Sequence, residues 1–491
     1  MPNVLLITAD QWRADCLGCA GHPVVQTPNI DLIATEGVRF ARHYAQAAPC
    51  SPARACLYTG LYQMTNRVVF NGTPLDRRHL TIAQSFRALG YDPTLFGYTD
   101  IGVDPRTTMP LDPWLRTYEG ILPGMSVRVH LPDYPGQWLS WLRSHGHDIP
   151  LNWKDLFLPL DESGLHVGKP PKFSAAETQT AYLVDEFGKW LGEQRGPWFA
   201  HLSFLSPHPP FAVPEPYASM YSVDDGPDFV RPASRDGSGL RHPYLAFANE
   251  AQRQSLGEPE ERQMRATYWG MVSEVDAQIG RVREILEAAG QWDDTIFVLT
   301  SDHGEQLGDH HLWGKLGFFD QSFHVPLIIR APGGESGRVV TDFSESIDLF
   351  PTMLDLAGAA VPTHLDGRSL KAYVVGEEVE TPRSEAHFEF DFRDFVHGHA
   401  MDVLGLDLDN CSLAVYRDAS FKYVHFAGLP PVLFDLGADP FELEDVADDP
   451  SYLGIRLAYA EKLLSWRARH LDRQLTGLAL TDKGVIDGRA R

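Results

Sequence analysis

The sequence predicts an α/β sandwich with a largely parallel central sheet, followed by a smaller C-terminal domain with antiparallel strands. Three observations point there. Over most of the chain, short uniformly apolar runs alternate with helical stretches, as expected of strands buried on both faces. Four of these runs lead at once into polar residues: Asp10 and Gln11, Tyr98, His208, and Asp302 with His303. In open parallel sheets ligands bind beyond the carboxyl ends of the strands, so four polar strand ends on one edge make a site-like set. Beyond about residue 384 the alternation gives way to clustered short β runs.

In chain order, residues 4–8 are the first buried strand. Thr27-Pro28-Asn29 reads as N-cap and first turn of a helix that ends at Gly37. Residues 50–59 are a helix with Pro52 in its first turn and Gly60 at its end. Residues 80–89 form a short helix stopped by Gly90, and 94–98 the second strand. Residues 104–175, rich in Pro, Trp and His with no sustained period, are expected to form an irregular insertion over the active face. A helix over 176–191 precedes the strand at 198–205, which runs into Ser206-Pro207-His208-Pro209-Pro210. Residues 213–257 read as a second polar, Pro-rich loop.

The clearest helix starts near Pro259 and ends at Gly290. Its Met264, Tyr268, Met271, Val275, Ile279, Val282 and Leu286 recur at spacings of three and four. Strands at 295–300 and 326–330 and a helix at 347–356 follow. The segment GEEVETPRS (376–384) separates a catalytic domain, 1–378, from a C-terminal domain, 379–491. The latter carries strands at 387–392, 412–417, 421–426 and 432–436, an amphipathic helix over 452–470 and a polar tail.

A formal net charge of −24 argues against nucleic acid or an anionic membrane as partner, and requires local positive charge for any anionic substrate. The opening MPNVLLITAD lacks a basic n-region and reads as a first strand, not a signal peptide. No run of 18 apolar residues offers a membrane span. Five cysteines, few and odd in number, fit a reducing compartment, so the expected location is cytoplasmic. The single Cys16-x-x-Cys19 pair is a weak zinc signal, and the Asn71-Gly72-Thr73 sequon carries no weight without a secretory signal.

Cys50-Ser51-Pro52-Ala53-Arg54 places a cysteine at a helix N-terminus, where the helix dipole favours an anionic group, with Arg54 able to turn back toward the same point. Asp10, Asp302 and His303, with the amide oxygen of Gln11, suit one hard or borderline divalent ion such as Ca²⁺ or Mn²⁺. Cys-x-Pro-x-Arg resembles the sulfatase signature. In the context of PCSPARACLYTGLY, NVLLITADQWRAD and SDHGEQLGDHHLWGK, the chain resembles the phosphonate monoester hydrolase/phosphodiesterase branch of the sulfatase family, within the alkaline phosphatase superfamily. The likeness runs from Asn3 to about Asp449 and implies an alkaline-phosphatase-like fold.

It also implies a chemistry. A maturation enzyme oxidises Cys50 to formylglycine, whose hydrate is held by Arg54 and shares one metal ion with Asp10, Gln11, Asp302 and His303. One hydroxyl of the hydrate attacks the phosphorus or sulfur of a small anionic ester in line, and the second then releases the product by C–O cleavage. Lys315, His208, Tyr98 and Asn71 contact the transferred group and leaving oxygen, with His208 as general acid. Many sulfatases carry an aspartate where Gln11 stands, which points to phosphonate monoesters and phosphodiesters, with sulfate esters as further substrates. Members of the branch carry a further threonine where this chain has Asp100; Thr99 is a weaker candidate for that hydroxyl, and Asp100 is expected to alter substrate preference. Assembly is expected as a homo-oligomer, dimer or tetramer, through the terminal helix with its Leu453, Leu457, Ala460, Leu463 and Leu464.

Three readings compete. One is an arylsulfatase with phosphoester side activity. A cysteine phosphatase with an unmodified thiolate is disfavoured, because Cys-x5-Arg is wanted and position 56 is cysteine. A non-catalytic binding protein would be expected to have lost ligands or nucleophile.

Overall fold

In the computed structural model the strands that lead into Asp10, Tyr98, His208 and Asp302 are neighbours in one sheet. The structure describes residues 1–157, 168–232, 242–251, 257–394, 398–473, 475–476, 478–482 and 484–487. The main sheet has eight strands in the order Ser126–His130, Pro93–Gly97, Phe199–Phe204, Asn3–Ala9, Thr295–Thr300, Leu327–Arg330, Val38–Tyr44, Arg338–Glu345. All pairings are parallel except those of Leu327–Arg330, which runs antiparallel to both neighbours. The four site-bearing strands are contiguous and parallel, so their carboxyl ends share one edge.

Every residue of Asn3–Ala9 is buried, and the period of two divides it between two cores. Leu5, Ile7 and Ala9 face the helices Gln179–Leu191 and Glu258–Ala288, including Val272, Val275, Ile279 and Val282. Val4 and Leu6 face Ala55 and Leu57 of the helix Cys50–Thr59 and Phe350 and Met353 of Leu349–Leu356. Helices on both faces explain why this strand reads as a continuous apolar run.

The smaller sheet has the order Val432–Asp435, Phe421–Phe426, Ser412–Asp418, Glu385–Asp391, Ala47–Ala48. It is antiparallel apart from the last pair, in which Ala47 and Ala48 run parallel to Glu389 and Phe390. Its edge therefore comes from the segment just before Cys50. The helix Leu453–Arg469 packs on this sheet through Tyr459, Leu463 and Trp466.

Several expectations need correction. The stretch 104–175 is not wholly irregular: Ser126–His130 extends the main sheet, and Gly136–Ser144 is a helix that buries Trp138, Leu139 and Leu142. The 213–257 loop contains the helix Pro243–Ala251, while 233–241 and 252–256 lie outside the described residues. Within the polar tail, Leu478–Thr481 and Gly484–Asp487 form a hairpin. Val38–Tyr44 and Arg338–Glu345 went unread because charged residues interrupt both. Thr27 precedes its helix but does not cap it; its hydroxyl donates to Asp31 and accepts from the Gly18 N–H. Among the described residues no helix is long and apolar enough to cross a membrane.

Candidate active site

Cys50 opens the helix Cys50–Thr59, which Gly60 closes in the left-handed region at φ 65°. Its thiol is nearly closed off, 5% exposed. Burial first, and then the Asp10 charge, push that thiol well above its ordinary range. Such a group is not poised as a free thiolate. Its Sγ lies 3.3 Å from His303 Nε2 and 3.4 Å from Lys315 Nζ. His303 Nδ1 donates to the Gly304 carbonyl at 3.1 Å, which leaves Nε2 as the lone-pair nitrogen facing the site.

Arg54, one turn along the same helix and fully buried, ties the sheet edge together. Its Nε donates to Asp302 Oδ2 at 2.8 Å, and its terminal nitrogens reach Asp10 Oδ2 at 3.3 Å, the Tyr98 hydroxyl at 2.9 Å and Ser203 Oγ at 2.8 Å. The Tyr98 hydroxyl in turn donates to Asp10 Oδ2. Gly97 is required here: a Cβ at its position would stand 2.1 Å from the Ser203 carbonyl oxygen. Burial alone would raise the Asp10 carboxyl, but His208, His303, Lys315 and Arg54 hold it well below the usual carboxylate range.

The donor set fits a divalent cation. Ligand atoms of Asp10, Cys50, Asp302 and His303 all lie within 4.8 Å of one another. Asp10 Oδ1 is buried without any hydrogen-bond partner and sits 3.7 Å from His303 Nε2. Arg54 occupies Oδ2 of each carboxylate; Asp302 Oδ1 accepts from the Gln11 and His303 N–H groups at 3.2 and 2.9 Å, whereas Asp10 Oδ1 is left open. An orphaned buried carboxylate oxygen beside an imidazole lone pair is what a metal ion would satisfy.

Gln11 stands at φ 67°, and its backbone carbonyl accepts from the Tyr268 hydroxyl at 2.8 Å. Its side-chain oxygen, expected as a ligand, accepts from Lys315 Nζ at 2.8 Å, and its amide nitrogen donates to Glu305. Glu305, fully buried, also accepts from the Leu307 and Gly314 N–H groups. It was missed in the sequence, although it lies inside the quoted stretch after Asp302; a glutamate that spaces a Gly-rich loop gives no periodic signal.

The remaining expected residues separate. Asn71 Oδ1 accepts from the Ser51 N–H at 2.9 Å, which fixes the start of the Cys50 helix. His208 Nδ1 donates to the Pro209 carbonyl at 2.7 Å, leaving Nε2 unprotonated. Burial and then Lys315 push His208 down to about 4, so in the free site it is neutral at neutral pH. Thr99 stands apart from the others: its hydroxyl donates to the Gly120 carbonyl at 2.8 Å and accepts from the Leu122 N–H at 2.9 Å, so it is spent on the loop. Asp100 follows at φ 52° and is 6% exposed. Tyr118, absent from the sequence reading, lies within electrostatic reach of Cys50 and Asp100.

The sulfatase family profile matches residues 2–359, and the profile for the C-terminal part of N-sulphoglucosamine sulphohydrolase matches 308–469. The chain is 41% identical to the multifunctional alkaline phosphatase superfamily protein PehA of Trinickia caryophylli, over 98% of each chain. It is 29% identical to an arylsulfatase of Clostridium perfringens, covering 94% of this chain and 93% of that one. Among solved structures, the phosphonate monoester hydrolase of Agrobacterium radiobacter superposes with a TM-score of 0.96 at 52% identity, over 99% of both chains. The phosphonate monoester hydrolase of Silicibacter pomeroyi gives 0.94 at 36% identity, over 100% of both.

Proposed function

The chain belongs to the sulfatase family of the alkaline phosphatase superfamily, and from that premise we propose that it hydrolyses phosphonate monoesters and phosphodiesters, with sulfate esters as further substrates. The observation that carries the preference is the Lys315 ammonium, which bridges Cys50 Sγ and the neutral amide of Gln11 instead of a carboxylate. A phosphonate monoester or phosphodiester concentrates its negative charge on two non-bridging oxygens, whereas a sulfate monoester spreads it over three. An ammonium whose direct contacts are a sulfur and an amide oxygen, with no carboxylate in ion-pair contact among the described residues, favours the more concentrated charge.

Asp10, Asp302 and His303 would hold a divalent ion, Ca²⁺ or Mn²⁺, beside position 50. With that ion bound and Cys50 matured to formylglycine, the pair would supply an activated hydroxyl as the nucleophile. Arg54 fixes both metal-binding carboxylates and closes the floor of the site. Lys315 draws in the anionic group and stabilises charge that builds on its oxygens. His208 lacks its Nε2 proton in the free site; a bound anionic substrate raises its proton affinity, after which it donates to the leaving oxygen. The reading extends to a cytoplasmic homo-oligomer, dimer or tetramer. In support, Leu453, Leu457 and Leu464 of the terminal helix are 54%, 61% and 69% exposed, although Leu463 is buried.

The test is a rate comparison on aryl phosphonate, phosphodiester and sulfate esters with the same leaving group, using enzyme whose position 50 is shown by peptide mass to be an aldehyde. The phosphorus esters should give the higher kcat/KM. A higher kcat/KM on the sulfate ester would favour an arylsulfatase, and full activity with an intact Cys50 thiol would overturn the formylglycine mechanism.

A further inference from the structure

Asp100 is a charge without a counterpart in a site built for anions. It is 94% shielded from solvent, and its carboxylate has no hydrogen-bond or ion-pair partner among the described residues. Yet it is close enough to influence Cys50, Tyr58, Tyr98 and Tyr118 electrostatically. A buried carboxylate left unpaired is costly, and its backbone does not require the charge. At φ 52° aspartate and asparagine are both among the residues that tolerate the left-handed region, so an uncharged asparagine would serve the turn equally well. Burial, reinforced by Asp10 and Glu119 and opposed by Arg54, pushes the carboxyl up to about 7.

The surroundings match a cation. The Thr99 hydroxyl and the Ile101 N–H both donate to the Gly120 carbonyl, at 2.8 and 3.3 Å, which brings the segment of Tyr118 and Glu119 alongside Asp100; Tyr118 is 38% exposed, and Glu119 and Asp133 add negative charge around it. Carboxylate and open aromatic face together are the chemistry that recognises an organic ammonium. Lys315, 3.4 Å from Cys50 Sγ, supplies the positive charge for the anionic centre.

We propose that Asp100, with Tyr118, is a specificity-determining residue that binds a cationic ammonium group carried on the ester substituent of the substrate, so that the preferred substrates are zwitterionic phosphorus esters. This rests on the hydrolase reading above.

Two chromogenic phosphodiesters test it: 4-nitrophenyl 2-(trimethylammonio)ethyl phosphate and its neutral isostere 4-nitrophenyl 3,3-dimethylbutyl phosphate, which differ by nitrogen for carbon. Matured wild-type enzyme should favour the cationic ester by ~10-fold or more in kcat/KM, the size of a single favourable charge contact. In Asp100→Asn, which keeps shape and turn, the ratio should fall toward one. Equal rates on the two esters, or a ratio unchanged in Asp100→Asn, would overturn the proposal. Nitrophenol release from the neutral ester reports on the hydrolase reading separately. Should neither ester be cleaved, calorimetry on Cys50→Ala with 2-(trimethylammonio)ethyl phosphate and 3,3-dimethylbutyl phosphate reads the same preference. Tighter binding of the cationic ligand, lost in Cys50→Ala/Asp100→Asn, supports the proposal, and equal binding overturns it.

Discussion

Arg54 and Arg383 are both buried, and each lies between two carboxylates, but the two clusters are completed differently. Arg383 meets Glu345 Oε2 and Asp348 Oδ1, each at 2.7 Å. The remaining oxygens are also taken: Glu345 Oε1 accepts from the His387 N–H at 2.8 Å, and Asp348 Oδ2 from the Glu345 N–H at 2.8 Å. The Tyr62 hydroxyl adds a bond to Glu345 Oε2 at 2.6 Å. Around Arg54, by contrast, Asp10 Oδ1 has no partner, and the His303 lone pair and the Cys50 sulfur face the same point. In the first cluster every carboxylate oxygen is paired, and the cluster joins the main sheet to the C-terminal strands. In the second, one carboxylate oxygen is left open, and the deficit marks the site. The difference lies in the carboxylates and not in a count of unsatisfied atoms, since the His387 ring nitrogens beside Glu345 also lack hydrogen-bond partners.

The same change, carboxylate to amide, should give different signatures in the two clusters. Asp10→Asn should cost on the order of 10³-fold or more in kcat/KM and deplete bound metal. Glu345→Gln should leave metal content and rate per folded molecule alone and destabilise by ~3 kcal/mol, because Arg383 loses a buried countercharge. Metal analysis, kinetics and thermal melts on both variants decide it. If Asp10→Asn melted early with its metal retained, the orphaned oxygen would not mark a ligand position.

His208 and Lys315 sharpen the contrast within the open cluster. His208→Ala should slow esters of poor, basic leaving groups by ~10²-fold or more and activated ones much less, as expected of a lost general acid. Lys315→Ala should weaken all anionic esters alike. A leaving-group series read for both variants gives the slopes. Equal losses across the series for His208→Ala would remove it as the acid.

Much of this was legible in the sequence where chemistry and position coincide. Asp10, Tyr98, His208 and Asp302 could be assigned to one edge because each follows an apolar run, and the parallel sheet makes those runs end together. The Cys50 helix was legible from Pro52 and Gly60. What was not legible depended on tertiary pairing. Val38–Tyr44, with Arg39, Arg42 and His43, becomes a strand only because two neighbours supply its ladder. Thr99 resembled a site hydroxyl because its neighbours are site residues, yet the loop at Gly120–Leu122 claims it. Glu305 sits inside a quoted motif that assigns it no role, and Tyr118 lies in no motif; only the fold brings them to Gln11 and Asp100.

Glu274 is a third kind of buried carboxylate, with no ion-pair partner among the described residues, and it gives the smallest effect. It is 1% exposed on the long helix and accepts from the Thr178 hydroxyl at 2.7 Å. Burial raises its carboxyl to about 7 from an ordinary 4.5, against the opposing hydrogen bonds of Thr178, Gln278 and Thr180. Because the folded value lies above the unfolded one, the native state holds the extra proton. Its stabilising contribution is present below 4.5 and lost as pH rises through about 7. The side chain also lines a cavity of about 50 Å³ shared with His208, roomy enough for water, which softens the cost of ionising it. Glu274→Gln should therefore gain on the wild type as pH is raised from the acidic to the alkaline side of this window, by on the order of 1–2 kcal/mol. Chemical denaturation of both proteins across that range measures the difference directly. A gap that stays constant with pH would mean that folding leaves the Glu274 pKa unshifted, and that neutral hydroxyl and amide partners offset its burial where Asp10 and Glu345 need an arginine.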